Sequence, residues 1–286
     1  MSQLKIFIEL TRLNKPIGFM LLFWPCSWGL AYAYNFDQNT NLFLYYMFLF
    51  FLGSVLMRSA GCIFNDIVDK DFDKKVQRTK LRPLASGKIS VFRSMVYVVL
   101  LCVTAFVVLV QFNFMTIMLG LGSMFLAFAY PFMKRITYWP QLFLGLTFNW
   151  GIIMAWASIT NDISLNIILL YIAAIFWTLG YDTIYGAQDM SDDEIIGLKS
   201  TSIRFKKNLK EFVVVSYLIV VGIISALFKN LIGLNVFTLF LILFFGSLFY
   251  QILKLNKLGS NNYLKTFKLN NYSGLILFSA ILSINI

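Results

Sequence analysis

The sequence predicts an all-α integral membrane protein of nine transmembrane helices, and three observations carry that reading. Of the 286 residues, 59% are hydrophobic and the mean hydropathy is +0.76. A soluble domain is nearer about 45–50% apolar, so the solvent for most of this chain is a lipid bilayer. Long apolar runs recur along the chain, each near the roughly 20 residues a helix needs to cross the hydrocarbon. The charge is also segregated. When nine spans are threaded in order, all but two of the 24 Lys and Arg fall on one side, the exceptions being Arg58 and Lys229. Short loops on the cytoplasmic side of a membrane protein are enriched in these residues.

The spans are expected at 17–35, 42–64, 92–112, 114–133, 140–160, 164–184, 211–228, 232–253 and 270–286. Residues 1–33 have the basic start, apolar run and small-residue Ala31-Tyr32-Ala33 site of a signal peptide. Their run is nevertheless long enough to span, is broken by Pro25 and is rich in aromatics, so it reads as the first span. The second runs into Asn65. The third and fourth are parted only by a tight turn at Gln111 and Asn113. The fifth is interrupted by Asn149 and Trp150, with Asn149 expected to hydrogen-bond between helices. The sixth carries Asp182 inside the apolar stretch Ile175 to Ile184. The last three are separated by Lys229 and by the lysines from Lys254 to Lys268. Nine spans leave no room for a separate soluble unit, so residues 1–286 read as a single transmembrane domain.

The net charge of +11 would suit nucleic acid, but membrane topology accounts for nearly all of it, and no nucleic-acid or obligate protein partner is expected. The N-terminus and the loops after the even-numbered spans are expected to be cytoplasmic. The lack of a long Arg/Ser-rich leader points to a bacterial inner membrane. Cys26, Cys62 and Cys102 show no metal or disulfide spacing. The chain has no His, which removes imidazole acid–base chemistry and imidazole metal sites.

Chemistry concentrates in two acidic stretches. Residues 65–82 hold four Asp and six Lys or Arg. Within them Asn65, Asp69 and Asp73 recur at four-residue spacing and form one stripe if the second span continues through them, while Asp66 and Asp71 point elsewhere. In the second stretch Asp182, Asp189 and Asp193 again share a face, with Tyr185 beside it. Both stripes lie at the same-side ends of even-numbered spans, where carboxylates facing one cavity could hold hard cations such as Mg²⁺ together with phosphate oxygens. Asp71, Asp192 and Glu194 read as ordinary solvated charges. Asp182 and Arg58 are ionisable groups within apolar stretches, where such groups are expensive and point to function. Arg58 lies two turns deeper than Asn65 on nearly the same face.

These residues resemble a known family. Arg58-Ser-Ala-Gly61-Cys62 leading into Asn65-Asp66-x-x-Asp69-x-x-x-Asp73 is similar to the first signature of the UbiA-type intramembrane aromatic prenyltransferases. Arg78-Thr79-x-x-Arg82-Pro83 looks like its continuation. Asp189-Met-Ser-Asp-Asp193 resembles the second signature, and Tyr130-Pro-Phe-Met-Lys134 the family's Tyr-x-x-x-Lys element. The flanks Tyr181-Asp182-Thr183-x-Tyr185 and Gly197-x-Lys199-Ser200-Thr201 resemble the 4-hydroxybenzoate branch. Arg12-Leu-Asn-Lys15-Pro16 and Trp24-Pro25 also fit.

The resemblance implies nine helices around a central cavity under a cytoplasmic cap of loops. It also implies Mg²⁺-dependent transfer of a polyprenyl group from its diphosphate to C3 of 4-hydroxybenzoate, a step in ubiquinone biosynthesis. In that scheme Asn65, Asp69, Asp189 and Asp193 hold the metal, and Asp73 and Asp66 rank behind them as ligands or supporting groups. Lys134, Tyr130, Arg78 and Arg82 attend the diphosphate. Arg58 meets the acceptor carboxylate and Asp182 orients or deprotonates the phenol. Tyr185 and Lys199 join the substrate site. Other acceptors of the family, a haem or quinone precursor, are the alternative. From a different class, a cation transporter would also place acids in a membrane, although these acids cluster at one side and no inverted repeat is evident.

Overall fold

The computed structural model describes residues 2–76, 79–255 and 260–285. The chain begins with a short helix, α1 (Gln3–Thr11). The first two long helices follow, α2 (Ile17–Asp37) and α3 (Thr40–Val68), and then the single turn α4 (Lys70–Asp73). Next come α5 (Val91–Leu109), α6 (Phe114–Ile136), α7 (Pro140–Asn149), α8 (Gly151–Thr160) and α9 (Leu165–Gly186). Two short helices, α10 (Met190–Ile195) and α11 (Thr201–Arg204), lead to α12 (Leu209–Leu227), α13 (Val236–Lys254), α14 (Ser260–Lys268) and α15 (Asn270–Leu282).

Capping residues set the boundaries. Asn39, Ser90, Asn113, Ser164 and Asn235 each accept a backbone N–H of the following helix through the side chain, meeting donors that a helix start leaves unpaired. Asn113 does more, since its amide nitrogen reaches the Ala157 and Ser158 carbonyls at 2.7 and 3.1 Å and ties the α5–α6 turn to the end of α8.

Among the described residues eight segments are long and apolar enough to cross a membrane, α7 and α8 counting together as one. The expected ninth is different. It is the 13-residue α15, entered through α14 and a break at Leu269. At 1.5 Å per residue it is shorter than the hydrocarbon core, and its buried Asn270, Ser273 and Gly274 face other helices. Trp24 donates to Asn271 Oδ1 and Trp28 to the Gly274 carbonyl, each at 2.9 Å, locking α15 to α2. Trp177 of α9 donates to Asn270 Oδ1 at 2.9 Å, and Tyr217 of α12 to Gln251 Oε1 of α13 at 2.8 Å. Asn270 in turn donates to that same Gln251 oxygen at 2.9 Å, so a buried polar hub joins four helices where water cannot serve.

The stretch resembling a signal peptide is a core element. Leu21, Trp28, Leu30, Ala31 and Ala33 of α2 are buried, with the Trp28 and Trp177 rings 4.9 Å apart. The fifth span is broken at Trp150, as expected. Asn149 contacts Gly145, Ala174 and Thr178 through its amide nitrogen at 2.8–3.1 Å. Just past the break, α2 and α8 cross almost backbone to backbone. A Cβ added at Gly29 would stand 2.3 Å from the Ile152 carbonyl oxygen, and one at Gly151 2.3 Å from Cys26 Sγ. Small residues at such crossings let membrane helices pack by dispersion, since lipid supplies no hydrophobic drive between them.

Gly29→Val is therefore expected to destabilise the detergent-solubilised protein by at least about 1–3 kcal/mol, the cost of overpacking. Gly222→Val, on an exposed face with nothing within 4 Å of an added Cβ, should leave the midpoint of thermal unfolding unchanged. A side-by-side melting measurement checks the pair.

Candidate active site

One cavity of about 1250 Å³ runs through the bundle. Its wall includes α3 residues from Leu49 to Asp69, a helical distance of about 30 Å at 1.5 Å per residue. The end nearest Asp69 is polar and lies at the basic loops. The rest is apolar, with Phe50, Phe112, Phe148, Trp150 and Met154 on the wall, aromatics that sequence alone could not single out from the many that face lipid.

The first acidic stripe survives a break in its helix. Helix α3 ends at Val68, and Asp69 caps it at φ −92° and ψ 2°. Yet the Asp69 N–H donates to the Asn65 carbonyl at 2.9 Å and the Asp73 N–H to the Asp69 carbonyl at 2.8 Å. The four-residue spacing is thereby kept, and Asn65, Asp69 and Asp73 all face the cavity. The second stripe behaves alike. Helix α9 ends at Gly186, Asp189 precedes α10 and takes the Asp193 N–H at 2.9 Å, and Asp182, Asp189 and Asp193 all line the cavity with Tyr185.

Basic side chains meet the acids of the first stripe. Asp69, whose side chain is 2% exposed, pairs with Lys134 from the last turn of α6 and lies 3.4 Å from Arg135. Asn65 donates to Asp69 Oδ2, the oxygen that Lys134 also contacts, at 3.0 Å. Asp73 pairs with Arg82 at 2.8 Å. Burial holds the Asp73 carboxyl above the usual carboxylate range, against the pull of that guanidinium. Asp66 departs from expectation. It does not point away but lines the same cavity, buried, with Arg12 at 2.6 Å and Arg82 at 3.1 Å. Being one residue past Asn65 puts it off the stripe but toward α1, and that is where Arg12 stands.

Arg58 also faces the cavity, packed against Gly18, with its guanidinium carbon 5.2 Å from the centre of the Phe148 ring. Its Nε is buried and has no hydrogen-bond partner among the described residues. Tyr130 and Lys134 line the cavity one helical turn apart. Lys199 lines it too, while its backbone N–H donates to the Lys134 carbonyl at 2.8 Å and its ammonium to the Ile136 carbonyl at 3.2 Å. These bonds, with Thr183 to Thr201 at 2.6 Å and the Thr201 N–H to Gln141 at 3.0 Å, fasten the α10–α11 cap to α6, α7 and α9. Arg78 lies outside the described residues. Asp71 and Glu194 are solvated, as expected, pairing at the surface with Lys74 and Lys206.

Two residues at this end have no site role in the sequence reading, Arg135 counting as a topology charge and Arg12 as one that also fits the family's opening run. Arg135 meets the Val68 carbonyl at 2.7 Å and lies over Phe72. Arg12 closes α1 in a left-handed conformation, φ 57°. Their sequence signal was position beside Lys134 and at a helix end, which does not separate a site cation from a topology cation.

The donor set is oxygen only: carboxylates and one amide, facing one cavity. No group of three His, Cys, Asp or Glu side chains among the described residues is close enough to cage an ion unaided. An oxygen donor set suits a hard cation such as Mg²⁺, which takes one or two carboxylates together with waters and substrate phosphate.

The chain matches the model of a family described as the UbiA prenyltransferase family over residues 22–272. It is 41% identical over 288 residues, 98% of the chain, to a protein of Caenorhabditis elegans named "4-hydroxybenzoate polyprenyltransferase, mitochondrial". It is 48% identical over 208 residues, 72% of the chain, to a Homo sapiens protein of the same name. The chain spans 78% of the nematode protein but only 56% of the human one. Its fold is similar to that of a UbiA homolog from Aeropyrum pernix K1, with TM-score 0.75 at 22% identity over 94% of this chain and 97% of that one. It is also similar to a UbiA homolog from Archaeoglobus fulgidus bound to GPP and Mg²⁺, with TM-score 0.71 at 16% identity over 98% and 100%.

The relatives' names overturn the expectation of a bacterial inner membrane, for both are called mitochondrial. That expectation rested on the lack of a long Arg/Ser-rich leader. A targeting leader is no part of a folded domain, and here residues 3–11 are α1, packed on α3 through Ile6 and Leu10.

Proposed function

We infer the reaction from one premise: the chain belongs to the UbiA prenyltransferase family. It is thus an enzyme of prenyl transfer, and the cation-transporter reading falls away. We propose that the donor is a polyprenyl diphosphate and that the acceptor is 4-hydroxybenzoate, alkylated at C3 to give 3-polyprenyl-4-hydroxybenzoate for ubiquinone synthesis. The names of the nematode and human relatives support the acceptor. The archaeal homolog bound to GPP and Mg²⁺ supports a prenyl diphosphate and a divalent metal.

In the mechanism the bond between the allylic carbon and the diphosphate oxygen breaks, and its electron pair leaves with the diphosphate. Asn65, Asp69, Asp189 and Asp193 would hold Mg²⁺, which supplies neutralisation of the charge growing on the leaving oxygens. Lys134 and Arg82 add fixed positive charge at the same end of the cavity. The apolar wall from Leu49 onward takes the prenyl chain and keeps water from the cationic carbon. Aromatic faces such as Phe148 favour positive charge beside them. The C3–C bond forms as the ring attacks, and the C3 proton then passes to the released diphosphate or to water as the ring regains its aromaticity. Asp182 receives or shares the phenolic proton, which sharpens the ring as a nucleophile ortho to oxygen.

The observation that carries the acceptor is Arg58. A buried cationic nitrogen with no hydrogen-bond partner costs free energy, and a carboxylate in the cavity would relieve it. A hydroxybenzoate supplies that carboxylate. Residues 1–286 would act as a single transmembrane prenyltransferase domain.

Two outcomes are expected. Asp69→Ala or Asp189→Ala should insert normally yet retain less than about a tenth of the wild-type rate, as loss of a principal metal ligand requires. Prenyl transfer assayed in membranes with and without EDTA reads this, and near-normal turnover in either variant would rule out the metal assignment. Arg58→Ala should raise the KM for 4-hydroxybenzoate by about thirtyfold or more while leaving that for the polyprenyl diphosphate nearly unchanged. Arg58→Lys should rescue poorly, because lysine lacks the planar fork. A loss of donor affinity instead would move Arg58 to the leaving-group end.

A further inference from the structure

Residues 212–286 carry five Lys and neither Asp nor Glu. Around the main cavity, by contrast, Arg12, Arg82 and Lys134 each meet a carboxylate. Two of the five lysines converge in the structure. Lys254 closes α13, Lys265 lies inside α14, and both line a second cavity of about 300 Å³ together with Tyr250, Asn262, Thr266 and Leu269. Among the described residues no carboxylate lines this cavity, and neither lysine has an ion-pair partner. Topology asks only that basic residues lie on this side. It does not ask that two helices bring them to one cleft.

The cleft continues into the lipid-facing surface of α13. Leu239, Leu243, Gly246 and Tyr250 precede Lys254 at intervals of four, three, four and four residues, so they form one stripe that leads up to it. All four are exposed, and a Cβ added at Gly246 would meet nothing within 4 Å. The stripe is therefore apolar and notched at its middle. At its upper end the Lys254 ammonium lies 5.1 Å from the centre of the Tyr250 ring, and aromatic side chains of this kind collect where hydrocarbon gives way to head groups. Two cations at the end of an apolar stripe fit a molecule that is anionic at one end and apolar over the rest. Basic pockets between membrane helices suit the head groups of anionic phospholipids.

Helix α14 also borders the main cavity. Leu264, Phe267 and Lys268 line that cavity, and the Phe267 ring lies 4.6 Å from that of Tyr185 and 5.9 Å from that of Tyr181. The two cavities thus lie on two sides of one nine-residue helix. We propose that the cleft between α13 and α14 binds the phosphate head of an anionic phospholipid through Lys254 and Lys265, with an acyl chain along the α13 stripe, and that the bound lipid braces α14 as a wall of the active cavity. The lipid site does not depend on which acceptor the enzyme takes, and its effect on rate rests on the reading of prenyl transfer.

The test uses the full-length purified protein in nanodiscs of phosphatidylcholine with or without phosphatidylglycerol, lipids with the same acyl chains and different head-group charge. Native mass spectrometry reads the lipid retained, and prenyl transfer is followed in the same discs. The wild type is expected to retain phosphatidylglycerol in preference to phosphatidylcholine and to turn over several-fold faster when it is present. Lys254→Gln combined with Lys265→Gln should weaken that preference by about tenfold or more, the scale of two lysines lost beside an anionic head group, and should abolish the gain in rate. Lys88→Gln, at an exposed lysine that lines neither cavity, should change neither readout. Gly246→Leu fills the notch with both lysines in place and should weaken retention several-fold.

Wild-type retention of phosphatidylglycerol by the double variant would overturn the proposal. An equal loss in Lys88→Gln would do the same, by reducing the effect to overall charge. Inorganic phosphate at millimolar concentration should not displace the lipid, because it has no chain to follow α13, and displacement by it would make the cleft a site for free phosphate instead. Should the double variant fail to fold, Gly246→Leu decides, and wild-type retention by that variant would overturn the lipid path. Retention without any gain in rate would overturn the bracing of α14. Absence of prenyl transfer in every disc would remove the proposed reaction and leave the retention result standing.

Discussion

Carboxylates at the edge of an apolar bundle persist as anions only where cations meet them, and the architecture of this protein follows from that constraint. Asp66 and Asp69 each have a side chain 2% exposed. Left alone, a buried carboxylate would lose several kcal/mol of solvation or take up a proton. Four basic side chains prevent this: Arg12, Arg82, Lys134 and Arg135. They come from the end of α1, the loop after α4 and the last turn of α6. Satisfying two acids on α3 thus draws three other segments to one place and sets the polar end of the cavity.

Elsewhere the bundle solves the opposite problem. There the chain must hold helices together in lipid without hydrophobic drive between them. It does so with close backbone crossings, as at Gly29 and Ile152, and with amide and indole groups that find partners on other helices. Trp177, Tyr217, Gln251 and Asn270 form the densest such set. Helix α9 belongs to both systems. Its middle is fixed by Trp177, and its end carries Asp182 and Tyr185 into the cavity. The rigidity of the hub is therefore passed directly to the candidate catalytic acid.

Much of this was legible in the sequence, for physical reasons. Hydropathy marks spans because the bilayer imposes one length, and all nine expected segments correspond to helical structure. The four-residue spacing of Asn65, Asp69 and Asp73 marks a shared face because backbone bonding preserves that spacing even where α3 breaks. The interruption at Asn149 and Trp150 was visible because a polar side chain amid apolar ones needs a partner. What was not legible concerns residues whose type serves two ends. Arg12 and Arg135 look like the lysines and arginines that set topology, and only three-dimensional contact distinguishes them. Asp66, off the stripe, was expected to turn away, since the position of Arg12 cannot be inferred from spacing across 54 residues. The ninth helix reads as full length in the sequence because apolarity does not reveal that one face of α15 is buried by its neighbours. The expectation of a bacterial inner membrane fails because the lack of an Arg/Ser-rich leader does not fix a compartment.

The ion pairs around Asp66, Asp69 and Asp73 have a kinetic consequence. At this end of the cavity Arg12, Arg82 and Lys134 already have carboxylate partners, so an entering polyanion exchanges one set of anionic oxygens for another. The exchange lowers affinity, because each new contact is offset by an old one given up. It also runs in reverse. When an anion departs, the cations close again on acids a few ångströms away and need no rehydration from bulk water. A resting state that imitates the charge pattern of the occupied one gives a shallow well at both ends of the cycle. Such a site is suited to letting go of a highly charged leaving group, a step that a bare cluster of arginines would make slow.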